Sequence, residues 1–307
     1  GFNTEAVEAY APLFRKLGFE PAQGGILSGG ETAGPSEGDL APGSMISLLL
    51  VRGDLNMNVD CTVTYRKGNN LYACGHRFLL TGPAEIPFAP SRVLATVPSL
   101  ASSFRVSAPG LPMGSIRQDR FGAVYGVVGE KAPQIPVQVQ VESTLNKKAD
   151  YKFQVVQETF LSPLLLNLAL VSTLTATERM VGPSTFEVKG QIRLANGEPV
   201  EIEDVVSGDT NTASGVGLAV SAPLTYLLSS AFPGLRVEAV ELSIVSRDEK
   251  RVVTLEQAWS SKSEVQPGDH IEVTAVLRTP AGETVIEKIP IDIPESVSDK
   301  MLSLVVG

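Results

Sequence analysis

Between Ser44 and about Glu142 the chain is cut into short β-branched or aliphatic runs, and no other feature constrains its fold as strongly. Met45–Val51, Cys61–Tyr65, Leu71–Cys74, Gly122–Val128 and Ile135–Val141 are strand-length, and Gly, Pro or Asn separates them. Several alternate apolar with polar residues, the pattern of a strand with one face in a core. Lys67-Gly68-Asn69-Asn70 between two of these runs predicts a hairpin turn. Many short strands joined this way favour a barrel or a sandwich.

The flanks differ. Residues 4–18, TEAVEAYAPLFRKLG, predict an amphipathic helix: Thr4 as cap, Glu5 and Glu8 early, Arg15 and Lys16 late. Ala6, Tyr10, Leu13, Phe14 and Leu17 form its apolar stripe. Such a short helix must dock on something. The Gly/Pro/Ser-rich stretch 24–43 then reads as a linker or long loop. After a possible strand at Tyr151–Val156, Pro163–Met180 reads as a mostly apolar helix. Strands return at Thr185–Leu194, Val200–Val206, Val237–Val245, Val252–Gln257, Ile271–Arg278 and Thr284–Ile291, with one helix inserted at about Ala219–Phe232. Asn196-Gly197, Pro267-Gly268-Asp269 and Ala281-Gly282 are turn signals between them. The expected organisation is a helix and linker over 1–43, a β core over 44–150, a connector over 151–182 and a β-sandwich-like domain over 183–307.

Composition removes several classes of function. The 307 residues carry 34 acidic and 25 basic side chains, a net charge of -9, which disfavours nucleic acid and anionic membranes as partners. Two histidines and two cysteines leave little room for a Cys/His zinc cluster, and no constellation implies a cofactor. The longest apolar run, Leu164–Val171, falls short of a membrane span and is interrupted by Asn167. The start at Gly1 shows no charged segment followed by an apolar one, and reads as processing or as a mature piece of something longer.

Short motifs mostly dissolve on inspection. Gly34-Pro35-Ser36-Glu37-Gly38 matches a nucleophile-elbow pattern, but that elbow needs a strand before it and a helix after it, not a linker. Arg52-Gly53-Asp54 is a three-residue match of no specificity, and Ser28-Gly29-Gly30 lacks the lysine of a phosphate loop. His76 is more informative. It follows a strand directly, beside Gly75, and imidazole is suited to general-base work near neutral pH. The bland alternative is a histidine satisfied at a strand end. His270, behind a Pro-Gly-Asp turn, reads as a solvated turn residue. Cys61 and Cys74 are placed symmetrically about the Lys67–Gly68 bond, so a hairpin centred there would set them opposite at disulfide distance. A turn centred one residue later would leave two buried thiols.

Read in order, Pro42-Gly43-Ser44-Met45-Ile46-Ser47, Leu50-Val51-Arg52-Gly53-Asp54-Leu55, Thr62-Val63-Thr64-Tyr65 and Gly75-His76 resemble the SpoIVB-type serine peptidase family. Gly114-Ser115-Ile116-Arg117-Gln118-Asp119-Arg120, Gly122-Ala123-Val124-Tyr125-Gly126 and Ile135-Pro136-Val137 continue that resemblance over about residues 40–142. The tail resembles the C-terminal region of large exported bacterial relatives less specifically. The resemblance implies a chymotrypsin-like β-barrel core, here partial, an extracytoplasmic setting (periplasm, cell surface or secreted), and His76 as general base. The family's Gly-Met-Ser-Gly-Ser-Pro nucleophile segment does not occur in these residues. Cys61, Cys74 and Arg77 also stand where other residue types are usual. Asp119 is the candidate to orient His76, although its neighbourhood in the family's motif reads as structural. A base without a nucleophile cleaves nothing. The expectation is an exported, peptidase-derived protein, non-catalytic as an isolated chain, that builds an assembly with itself or other proteins. The alternative is a C-terminal fragment that lends His76 to a separate upstream serine-bearing segment.

Overall fold

The computed structural model describes residues 1–23, 40–98, 104–143, 148–178, 181–230, 232, 234–296 and 301–305. The nucleophile-like pentapeptide at 34–38 and most of the expected linker lie outside the described residues.

Six antiparallel strands make the barrel: β1 (Met45–Gly53), β2 (Met57–Lys67), β3 (Asn70–Ala73), β4 (Gly82–Val97), β6 (Gly114–Arg120) and β7 (Ala123–Val128). Their order is β1-β2-β3-β7-β6-β4, and β4 pairs back onto β1 through Met45↔Ser91 to Leu48↔Phe88. The core expected to be partial is therefore a closed barrel within this one chain. Alternation along each strand fills it: Ile46, Leu48, Val63, Leu71, Ala73, Ile86, Phe88, Ile116 and Val124 are all buried. Phe88 reaches across to β6, where a Cβ on Gly114 would lie 2.4 Å from the ring, so that position must be glycine. β4 extends past the barrel and forms a two-stranded arm with β5 (Phe104–Pro109), from Ser91↔Pro109 to Val97↔Phe104.

A second layer of strands continues from the barrel. β9 (Lys148–Val156) pairs with the end of β1 through Val51↔Val155 to Gly53↔Phe153. Beyond it lie β8 (Gln134–Glu142), β12 (Val237–Arg247), β10 (Val181–Leu194) and β11 (Val200–Thr210), in that order. β8 and β12 run parallel, Val137 against Val240, so this sheet crosses both residue 150 and residue 182. One face is apolar, with Val137, Val139, Phe186, Val188, Val240 and Ile244 buried under helices. The other carries charge ladders, including Lys189–Glu203 at 2.8 Å and Arg247–Glu187 at 2.7 Å.

Three helices cover the apolar face. α2 (Leu161–Thr177) is buried nearly all round, as its composition requires, packed against β9, α3 (Thr212–Ser229) and α1 (Thr4–Lys16). Its first N–H groups are satisfied by Glu158, whose carboxylate accepts from Phe160 at 2.8 Å and Leu161 at 2.7 Å. α1 is capped by Asn3 and not by Thr4: the Asn3 side chain accepts from the Glu5 amide at 2.8 Å. Its stripe also shifts slightly, because Ala6, Ala11 and Phe14 are buried whereas Leu13 is exposed. No helix among the described residues is long and apolar enough to cross a membrane.

The last three strands, β13 (Thr254–Ser260), β14 (His270–Arg278) and β15 (Thr284–Asp292), form a separate antiparallel sheet. Ile271, Val273 and Ala275 are buried on β14, with Ile293 just beyond β15, and none of them joins the main core.

Candidate functional site

His76 sits in the loop from β3 to β4, on a backbone that turns sharply as the ladder ends. Cys74 and Gly75 both have positive φ, 70° and 69°. That is unusual for a residue with a Cβ, and the turn aims the next side chain away from the barrel. The imidazole is exposed, and its Nδ1 lies 2.7 Å from the carbonyl oxygen of Arg77. A carbonyl can only accept, so Nδ1 carries the hydrogen, and in the neutral ring Nε2 is the acceptor.

Asp119 does not reach that ring. It is fully buried on β6, and its carboxylate accepts three backbone N–H groups: Phe78 at 2.8 Å, Leu79 at 2.7 Å and Thr81 at 3.1 Å. These are the residues that follow His76. Asp119 therefore ties the loop to the barrel wall and holds the position of His76 at one remove. Among the described residues, neither a hydroxyl, a thiol nor a carboxylate hydrogen-bonds the His76 ring.

Cys61 and Cys74 form a disulfide, with Cα atoms 4.6 Å apart. The route to that geometry differs from a simple hairpin. Lys67 pairs with Asn70, so the turn is centred one residue later than the symmetric position. A bulge between Val63 and Tyr65 on β2, followed by the left-handed turn at Cys74, brings the two side chains together regardless. The bridge clamps the strand end that leads to His76.

The other singled-out residues serve the fold. Arg52-Gly53-Asp54 ends β1, and the Asp54 carboxylate accepts the Lys152 amide at 2.7 Å on neighbouring β9. His270 pairs across strands with Asp292, both strongly exposed on the small sheet. Next to it, the Gln266 backbone N–H, and then Lys262, hold the Asp269 carboxyl below its ordinary value. A His–Asp pair of this kind was not expected from sequence, because its partners are 22 residues apart and meet only through the β14–β15 register. A shallow groove of about 470 Å³ lies over β1, β9, β8 and β12, lined by Arg52, Lys152, Arg193 and Glu241, and does not include His76. Among the described residues, no three His, Cys, Asp or Glu side chains cluster to hold a metal ion.

Comparison with protein-family models, with curated proteins and with solved structures returned no match.

Proposed function

We propose that this chain is an exported, peptidase-derived protein that is non-catalytic in isolation and serves as a structural or interaction component of an extracytoplasmic assembly. The observation that carries this reading is where the candidate triad groups are engaged. The Asp119 carboxylate is consumed by three loop amides, and the His76 Nδ1 is held by the neighbouring Arg77 carbonyl. A triad needs the aspartate on that nitrogen, because the carboxylate stabilises the imidazolium formed as the serine is deprotonated. The Cys61–Cys74 bond supports an oxidising compartment.

One feature favours the alternative, in which His76 is lent to a separate serine-bearing segment. With Nδ1 engaged, the exposed ring keeps Nε2 available to accept a proton from a hydroxyl brought to it. Purified chain offered casein and a fluorophosphonate probe should show neither cleavage nor labelling. Serine labelling that disappears in His76→Ala would overturn the non-catalytic reading.

A further inference from the structure

Barrel closure leaves two strands of the large sheet unpaired on one side. Among the described residues β5 pairs with β4 alone and β11 with β10 alone, so they are the two ends of one continuous sheet. Each presents backbone N–H and C=O groups to whatever can pair with them.

The two edges differ in chemistry. The arm built from Ser91–Val97 and β5 stands clear of the barrel, and Val93, Leu94 and Val97 on it are 38–41% exposed. Among the described residues, a side-chain bond ties it to the barrel where Ser107 donates to Asp60 at 2.5 Å. A two-stranded ribbon with exposed apolar side chains is marginally stable in water unless it is covered. From Ala89 to Gly110 the only charges are Arg92 and Arg105, and neither has an ion-pair partner among the described residues. β11, by contrast, carries Glu201, Glu203, Asp204 and Asp209 and no cation. Lys189 and Lys250 neutralise Glu203 and Asp209, whereas Glu201 and Asp204 have no ion-pair partner among the described residues.

We infer that β5 of one copy adds to the β11 edge of a second copy, with Arg105 set against Glu201 on the charge-ladder face. The sheet then continues from one molecule into the next through main-chain hydrogen bonds. The other free edges fit less well. β15 contains Pro290, which cannot donate, and the acid of β13, Glu256, is already held by Arg278. Each copy carries one arm and one acceptor edge, so the contact is head-to-tail and produces rings or open chains. This inference rests on the assembly reading above and names the partner as a second copy of the chain.

The test uses the intact, oxidised chain in sedimentation and light scattering at micromolar concentration. Wild type should associate, and added salt should weaken the association. Arg105→Glu, and separately Glu201→Lys, should each weaken it by about tenfold, since like charges would face one another. Both side chains lie on the surface, and an unchanged circular dichroism spectrum would show the variants folded. Mixing the two variants should restore association, because each supplies the edge that the other lacks. A monomeric wild type overturns the inference, as does association untouched by the β11 change, which would mean a two-fold β5–β5 contact. Fluorophosphonate labelling of the same samples keeps the readings apart: a labelled serine removes the non-catalytic reading, whatever the association state.

Discussion

The barrel and the β13–β15 sheet are built from strands of similar grammar, yet they are stabilised very differently. Both alternate β-branched and polar residues and both are antiparallel. The barrel closes on itself, so every inward residue meets residues from the opposite wall, and a disulfide clamps one hairpin. The small sheet has two free edges, a few buried side chains and exposed Leu255, Trp259, Ile286 and Ile289. Strand pattern therefore reports which residues face inward. Closure decides how much stability that facing contributes.

The contrast can be broken most forcefully at Phe88. Phe88→Ala should cost about 4–5 kcal/mol, at the upper end for such truncations, because backbone and Gly114 line the void and cannot move in to fill it. Denaturant titration followed by tyrosine ellipticity would measure it, and a loss below about 2 kcal/mol would mean a looser barrel than this packing implies. Replacing Cys61 and Cys74 together by Ala should cost about 3 kcal/mol for a loop of this length. That loss should appear in the barrel signal and leave the small sheet unchanged.

The small sheet has its own reporter, since Trp259 is the only tryptophan. Its fluorescence should change at lower denaturant than the barrel signal, and a single coincident transition would show the regions to be one cooperative unit. Among the helices, Glu158→Ala should lower stability by about 1 kcal/mol, because the first amides of α2 lose their acceptor. The smallest effect is on pH. Arg278 holds the Glu256 carboxyl below its ordinary value, so this pair supports the small sheet above the usual carboxylate range. That support fades as pH falls through the depressed value, and the Trp259 transition should then move to lower denaturant. Arg278→Ala should reduce this acid sensitivity to the share that the lowered Asp269 carboxyl contributes.

Much of this architecture was legible in the sequence where one physical rule dominates. Turn residues between alternating runs located most strands, and apolar composition located α2. β4 was not legible, because Pro83, Pro87 and Pro90 break its pattern. Over Gly82–Pro87 it pairs only with β6, so half of its amides face no neighbour and proline is tolerated there. The first turns of α3 were missed as well, since Thr-Ala-Ser-Gly-Val-Gly reads as loop. The small residues there let the helix lie against Val206 and Asn167. At the candidate site, His76 and the two cysteines stood out by position. The service of Asp119 to the loop amides did not, because it links residues 38–41 apart in sequence.

The parallel pairing of β8 with β12 has a consequence for how the molecule is made. Val137 waits for Val240, so roughly a hundred residues must be synthesised between one strand and its neighbour. The barrel strands all lie before that interval and can close early, within a stretch of local hairpins and one return strand. α2 emerges within the interval, mostly apolar and buried nearly all round in the finished fold, with α3 and β12 not yet present. Until they arrive, it is the segment most exposed to aggregation or chaperone capture, and the rate-limiting stage of folding falls in the second half of the chain.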